Sequence, residues 1–159
     1  AAHAVDCSDP DAVARLGLEP AEVVVAGEVI EHLDASGPFL DGLHALVRPG
    51  GRLVVTTPNA SGLLNAAAAA LAGWEVNHPD HVTLYSCYTL TNLLERHGWR
   101  VEEVATYVPV LKEFDALRGR MKVLGAGARV VLGTERLLAR LGRPYAADGL
   151  IVTATSARS

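Results

Sequence analysis

The sequence predicts a single α/β domain built on a mostly parallel sheet. The chain has 159 residues, of which 50% are hydrophobic and 20% charged, so it has enough apolar material for one folded core and too much for a disordered segment. Short valine-rich runs alternate with longer amphipathic segments, which is the order typical of strands and helices in this fold class. The apolar run Glu22–Ala26 is typical of a strand that is buried on both faces of a parallel sheet.

The first half of the chain predicts two strands and two helices around that run. Ala1–Val5 is apolar and is expected to form a strand. A short helix should follow Asp9, which can cap it, with Pro10 at its first helical position. Ser36 is the expected cap of a second helix, which Pro49–Gly51 should end. Its apolar residues recur at helical spacing, namely Phe39, Leu40, Leu43, Leu46 and Val47.

The second half continues the alternation of strands and helices. The expected elements are a strand at Arg52–Thr57, an alanine-rich helix at Leu63–Ala72, a helix at Thr89–His97, a strand at Arg100–Val108, one or two helices within 113–141 and a last strand at Gly149–Thr155. Gly98 is the expected C-cap of the helix at Thr89–His97. Residues 73–81 are polar and irregular and are expected to form a loop.

Charge is unevenly distributed along the chain. Residues 1–111 hold five Lys/Arg and fourteen Asp/Glu, whereas residues 112–143 hold eight and three. An acidic body disfavours a broad surface for polyanions, so we do not expect a nucleic-acid partner, and the basic stretch is interpreted as a solvated helix face. No apolar run is long enough to cross a bilayer, and no secretory signal opens the chain. Two cysteines, Cys7 and Cys87, fit a cytoplasmic protein without disulfides.

The candidate functional residues stand where predicted strands end, because ligands of such sheets bind beyond the carboxyl ends of the strands. Gly27 lacks a Cβ and permits close approach of a ligand to the backbone. Glu28, Glu31 and His32 follow it, and on a helical turn these positions would share one face. Two carboxylates and one imidazole can hold a divalent metal. Alternatively, His32 can act as a general base or lie on a helix surface.

Two segments resemble a known family. VVVAGEVIEHL at 23–33 and LVRPGGRLVVTTPN at 46–59 resemble strands four and five of the class I S-adenosylmethionine-dependent methyltransferases, with the helix between them. Residues 81–99 resemble the helix before that family's sixth strand. The resemblance covers 4–108 well and 144–155 loosely. It implies a Rossmann-like sheet flanked by helices, S-adenosyl-L-methionine as cofactor and a methyltransferase reaction.

One feature of that family is missing from the chain. No glycine-rich turn or acid of the first two strands is present, and Ala1–Val5 corresponds in order to the family's third strand. We therefore expect residues 1–159 to form a single, incomplete methyltransferase domain that lacks the first strands and the glycine-rich loop. A degenerate, non-catalytic binding module is the alternative. Residues 112–143 would be a helical insertion before the last strand, shaping the acceptor side or a homo-oligomer contact.

The resemblance also implies roles for single residues. Asp6 would accept a hydrogen bond from the adenine amino group, and the backbone of Cys7 would meet a ring nitrogen. Ala26, Gly27 and Glu28 would pass the methionine part of the cofactor. Asn59, Trp74, His78 and Tyr85 are further candidates near the acceptor, although turn formation, solvent exposure and packing explain them equally simply.

The pattern Glu-x-x-Glu-His also resembles two metal-dependent branches of the family, the ubiquinone-pathway O-methyltransferases and the small-RNA 3′-terminal 2′-O-methyltransferases. In the latter a downstream histidine is a further ligand, and Asp80-His81 stands at a comparable place. The implied ligands of Mn²⁺ or Mg²⁺ are Glu28, Glu31, His32 and His81. His32 and His81 are also the implied catalytic residues.

Taken together, these features predict O-methylation of a small hydroxylated molecule. RNA ends are less expected as acceptors because only eight residues are aromatic and RNA sites need cations and stacking rings. Two other classes stay open: the non-catalytic module, and a metal-dependent hydrolase that uses Glu28, Glu31 and His32 to activate water.

Overall fold

The computed structural model describes residues 5–7, 9, 11–15, 17–73, 78–108, 118–142 and 144–157. The elements in chain order are α1 (Ala12–Arg15), β1 (Ala21–Gly27), a 3₁₀ turn (Ile30–His32), α2 (Ser36–Leu43), β2 (Val47–Pro58), α3 (Leu63–Ala72), α4 (Cys87–Arg96), β3 (Trp99–Tyr107), α5 (Arg118–Arg140), a second 3₁₀ turn (Pro144–Ala146) and β4 (Gly149–Ser156). The α/β class is therefore confirmed.

The four strands form one sheet in the order β1-β2-β4-β3. β1 and β2 are parallel, whereas β4 is antiparallel to both β2 and β3. Three strands consequently run in one direction and only β4 is reversed, as the mostly parallel prediction requires. The carboxyl ends of β1, β2 and β3 meet at one edge of the sheet together with the start of β4. We call this the carboxyl edge.

One face of the sheet carries the main core and the other face is more open among the described residues. Buried core side chains come from the sheet, the 3₁₀ turn, α2 and α4, and they include Ile30, Phe39, Leu40, Leu53, Val55, Leu90, Leu94, Trp99, Leu150 and Val152. Burial on both faces, as expected for Glu22–Ala26, is wrong: Val23 is 50% and Val25 65% exposed. The reason is that β1 lies at the end of the described sheet and its second face has no covering element there.

Local signals placed most helix ends correctly. α3 spans the predicted alanine-rich segment. α4 begins two residues before the predicted start, because Ser86 caps it by accepting a hydrogen bond from the Thr89 backbone N–H while the Thr89 side chain bonds the Ser86 N–H. Gly98 follows that helix with φ +79°, a left-handed conformation that glycine adopts without strain.

Two predictions around α2 are wrong. Ser36 is not a helix cap: it is buried, and its hydroxyl lies 2.7 Å from the Tyr85 hydroxyl. The helix also ends at Leu43, and Val47 already belongs to β2. The apolar spacing misled the prediction because Leu46 and Val47 face the same core from the turn and strand that follow the helix.

α5 is one continuous helix that passes through Gly125 and Gly127. Leu132 is buried against Leu64 of α3, with Val131 packed beside them. Val130 and Leu137 of this helix, and Leu141 just after it, are each more than half exposed. Among the described helices none has the length and apolar content to cross a membrane. Residues 1–4, 10, 74–77 and 112–117, on which parts of the expectations fall, lie outside the described residues, and Val5 is not in a strand.

Candidate functional site

The chain turns sharply where β1 reaches the carboxyl edge. Glu28 has φ +52°, a left-handed conformation that is uncommon for a residue with a side chain. Its backbone N–H donates to the Thr56 carbonyl over 3.0 Å. A single 3₁₀ turn at Ile30–His32 follows. The expected helical turn over 28–32 is therefore wrong, and the left-handed residue separates Glu28 from the face that carries Glu31 and His32.

Glu31 is fully buried beneath this turn. Its Oε2 accepts a hydrogen bond of 2.8 Å from the Thr57 hydroxyl. Its Oε1 has no hydrogen-bond partner among the described residues. The Glu31 carbonyl accepts from the backbone N–H groups of Val82 and Thr83, which ties the segment after His81 to the turn. A buried carboxylate oxygen without a partner is costly, so it points to a proton, a cation or a donor that occupies this place.

Two histidines lie beside Glu31. The His32 and His81 rings meet edge to face with centroids 4.8 Å apart. His32 Nδ1 lies 3.1 Å from the Asp80 carbonyl oxygen, which can only accept, so Nδ1 carries the hydrogen and Nε2 keeps a lone pair in the neutral ring. Nε2 lies 3.9 Å from Glu31 Oε1. His81 Nδ1 is buried and has no partner among the described residues.

Glu31, His32 and His81 form the group that we call the Glu-His-His cluster, and one potential ligand atom of each lies within 4.8 Å of the others. Burial raises the pKa of Glu31, and the nearby charge of Glu28 acts in the same direction. Burial lowers the pKa of His81, as does the neighbouring His32. His81 is therefore held neutral and can accept a proton or donate a lone pair to a metal.

Glu28 is not part of the Glu-His-His cluster. Its Oε1 accepts hydrogen bonds from the Thr56 hydroxyl over 2.8 Å and from the Tyr107 hydroxyl over 3.1 Å. Sequence analysis missed Thr56, Thr57 and Tyr107. Two threonines at the end of a strand are a weak signal. The residues around Tyr107 do not predict its contact with Glu28, which lies 79 positions earlier.

The structure places the other candidates as follows. Asp6 is exposed and Cys7 is partly buried against the main core. Ala26 is buried, whereas Gly27 is exposed at the carboxyl edge. Asn59 is buried, and its amide donates to the carbonyls of Tyr145 and Ala147, so it supports the fold.

Of three further candidates, the structure describes two, which lie near the Glu-His-His cluster or in the core. Tyr85 is buried against Ser36, which favours packing. His78 lies at the rim, with its ring centroid 6.1 Å from that of His32 and its side chain 53% exposed. Trp74 lies outside the described residues.

Comparison with known proteins agrees with this architecture. A family model described as a methyltransferase domain matches residues 2–104. A curated protein of Mycolicibacterium smegmatis, named as a probable S-adenosylmethionine-dependent methyltransferase, is 33% identical over 100 residues, which are 62% of this chain and 37% of that protein. The crystal structure of a SAM-dependent methyltransferase from Archaeoglobus fulgidus has a TM-score of 0.56 at 16% identity, covering 94% of this chain and 64% of that one.

The small RNA methyltransferase HEN1 also shares the fold, with a TM-score of 0.54 at 17% identity over 90% of this chain and 14% of that protein. Because a methyltransferase domain matches well over half of the residues, the chain belongs to the class I S-adenosylmethionine-dependent methyltransferase family, and its sheet has the Rossmann-like fold of that family. The chain spans little more than a third of the curated relative.

Proposed function

We propose that this domain transfers the methyl group of S-adenosylmethionine to a hydroxyl oxygen of a small molecule. The observation that carries the proposal is the Glu-His-His cluster at the carboxyl edge, where a buried carboxylate faces two imidazoles. Its support is the family membership together with a site that can accept a proton. The cofactor supplies an electrophilic methyl group on its sulfonium, and the protein must hold the acceptor in line and remove its proton.

His32 is the residue best prepared to take that proton. The Asp80 carbonyl fixes the tautomer in which Nε2 has a free lone pair. When the sulfur–carbon bond of the cofactor breaks and the methyl group goes to the acceptor oxygen, the hydroxyl proton would pass to His32 Nε2, and the Glu31 carboxylate at 3.9 Å would stabilise the resulting imidazolium. The Asp80 carbonyl at Nδ1 orients the ring, as an acceptor on the opposite ring nitrogen orients a catalytic histidine elsewhere.

A divalent metal fits the same three residues. Glu31 Oε1 and His81 Nδ1 are buried without partners, and a mixed carboxylate and imidazole set suits Mn²⁺ better than Mg²⁺, which prefers oxygen ligands. When bound, the metal would hold the acceptor oxygens and lower the pKa of one hydroxyl. The ligand atoms that lie together belong to Glu31, His32 and His81, and Glu28 Oε1 accepts hydrogen bonds from Thr56 and Tyr107.

The cofactor site needs more chain than these residues supply. No glycine-rich turn precedes β1 in the sequence, so the proposal requires additional chain to provide it. Asp6, Cys7, Ala26, Gly27 and Glu28 are the residues proposed here to meet the cofactor. Homo-oligomer formation through the helical insertion at 112–143 is likewise a proposal.

The test is methyl transfer by the complete gene product, followed as S-adenosylhomocysteine release, with catechols, phenols, amines and single-stranded RNA as acceptors. We expect transfer to hydroxylated small molecules. His32→Gln should lower kcat by about 100-fold or more, since a general base contributes at least this much. Tyr88→Phe, which removes the hydroxyl of an exposed tyrosine on α4, is the control and should leave kcat unchanged.

Three outcomes would contradict the proposal. Transfer only to amines or RNA would move the activity to another acceptor class. Full activity of His32→Gln would remove the proposed base. Metal-dependent ester cleavage without the cofactor would favour the hydrolase alternative, which the family match argues against.

A further inference from the structure

Glu28, Thr56 and Tyr107 form a second polar group at the carboxyl edge, which we call the Glu28 clamp. Thr56 pairs with Ile151 of β4, and Tyr107 pairs with Gly149 of the same strand. Residues two apart on a strand point to the same face, so Thr56 and Tyr107 both lie on the face opposite the main core. The two hydroxyls reach Glu28 from different strands of that face.

Gly149 makes the long reach of Tyr107 possible. A Cβ on Gly149 would overlap the atoms of the Tyr107 ring, so the ring lies across β4 at the point where that strand has no side chain. From there its hydroxyl meets the carboxylate of Glu28, which directly follows β1, the strand at the opposite end of the sheet order.

The Glu28 carboxylate is fixed but not neutralised. Its backbone holds φ +52°, a left-handed conformation that is strained for a residue with a side chain. Both hydroxyls donate to Oε1, while the side chain is exposed. Among the described residues no Lys, Arg or His forms an ion pair with it. A carboxylate oriented in this way has its second oxygen available to a ligand.

The Glu28 clamp and the Glu-His-His cluster are electrostatic neighbours. The charge of Glu28 acts on both Glu31 and His81, and Glu28 stands three residues before Glu31 at the end of β1. The cluster is placed to take a proton, whereas the clamp offers only an acceptor in a fixed direction.

We propose that the free Glu28 oxygen accepts a hydrogen bond from an O–H or N–H group of a small molecule bound at this edge, and that Tyr107 is the positioning residue that aims the carboxylate. The inference deepens the proposed function and rests on it. The donor group can belong to the methyl acceptor or to the amino group of the cofactor, and both sources present the same chemistry to Glu28.

The experiment compares Tyr107→Phe, Glu28→Gln and the double variant in the complete gene product. Two constants are measured: the acceptor KM and the dissociation constant of S-adenosylhomocysteine. Loss of the hydrogen bond that orients the charged acceptor should raise either the acceptor KM or the dissociation constant by about tenfold. Because Tyr107 acts through Glu28, the affected constant of the double variant should equal that of Glu28→Gln alone.

Two further variants separate positioning from general damage. Gly149→Ala keeps the tyrosine hydroxyl but displaces its ring, so it should shift the same constant in the same direction. Tyr88→Phe removes the hydroxyl of a tyrosine on α4 that is 74% exposed, and it should change neither constant. A change in KM alone assigns the donor to the acceptor, and a change in the dissociation constant assigns it to the cofactor.

The proposal is overturned if Tyr107→Phe changes neither constant, or if it retains its full effect in the Glu28→Gln background. Failure of the proposed function has a different signature. A gene product that transfers no methyl group refutes the proposed function. The role of the Glu28 clamp is then tested only by the dissociation constant of S-adenosylhomocysteine. If Tyr107→Phe leaves that constant unchanged, the role of the clamp is refuted as well.

Discussion

Glu31 illustrates how a single residue links stability to chemistry. Its carboxyl group is fully buried with one oxygen bonded to Thr57 and the other without a partner among the described residues. Burial raises the pKa of Glu31, so its ionised form lowers the free energy of unfolding at neutral pH. We attribute this loss of stability to the function of the residue. A residue selected for packing alone would be apolar here.

Replacing Glu31 with Gln should therefore separate the two roles. We expect kcat to fall at least tenfold, while the Tm at pH 8 stays equal or rises by about 2–4 °C, the shift that ~1 kcal/mol produces in a chain of this size. Mn²⁺ should raise the Tm of the wild type but not that of Glu31→Gln. Thermal unfolding with and without Mn²⁺ measures both effects. Equal stabilisation of both proteins by Mn²⁺ would rule out the Glu-His-His cluster as the metal site.

At the scale of elements, α5 is joined to the rest of the protein through one buried and one partly buried carboxyl group. Glu135 of α5 is fully buried, and with Asp148 it accepts from the Leu64 backbone N–H at the start of α3. Burial, together with the charge of Asp148, raises the pKa of Glu135 to about 8. Burial also raises the pKa of Asp148. One shared proton therefore allows both groups to lie at the same helix start.

This pair predicts how stability depends on pH. The unfolded Glu135 titrates near 4.5 and the folded one near 8, so the unfolded state binds fewer protons between these values. The contribution of protonated Glu135 to the free energy of unfolding is complete below about pH 4.5 and is lost as the pH rises through 8. Glu135→Gln mimics the protonated form. Between pH 5 and 8.5 the Tm of the wild type should therefore fall more than that of the variant, and the difference between the two falls should be at least about 4 °C.

Thermal unfolding across this pH range checks the expectation. Glu95→Gln, at an exposed position of α4, serves as the control and should follow the wild type. Parallel curves for the wild type and Glu135→Gln would contradict the shared proton.

The elements also show which features a sequence can predict. The limits of α3 follow from its alanine run, and those of α4 from local capping residues and Gly98, because helix signals act within a few residues. Burial of β1 could not be predicted, since it depends on which element covers each face. Glu135 left a weak signal, as a charge three residues after buried Leu132 on one helix face, but its partner Asp148 is set by tertiary structure.

At the scale of the whole molecule, the methyltransferase sheet brings together site residues that are distant in sequence. The resemblance to the family grouped Glu31, His32 and His81 correctly in space. It also placed Glu28 with them, whereas in the structure the left-handed Glu28 turns the chain and its Oε1 accepts from Thr56 and Tyr107. Local periodicity cannot show such a turn. The Glu28 clamp could not be predicted from the sequence either, since it joins residues at the ends of three strands.

The central claim, that the fold still serves S-adenosylmethionine chemistry, is tested most directly by calorimetry of S-adenosylhomocysteine binding to residues 1–159 and to the complete gene product. The account predicts binding by the complete gene product, and none or much weaker binding by residues 1–159, which contain no glycine-rich turn before β1. Absence of binding by the complete gene product would contradict the account and leave a methyltransferase fold without its cofactor.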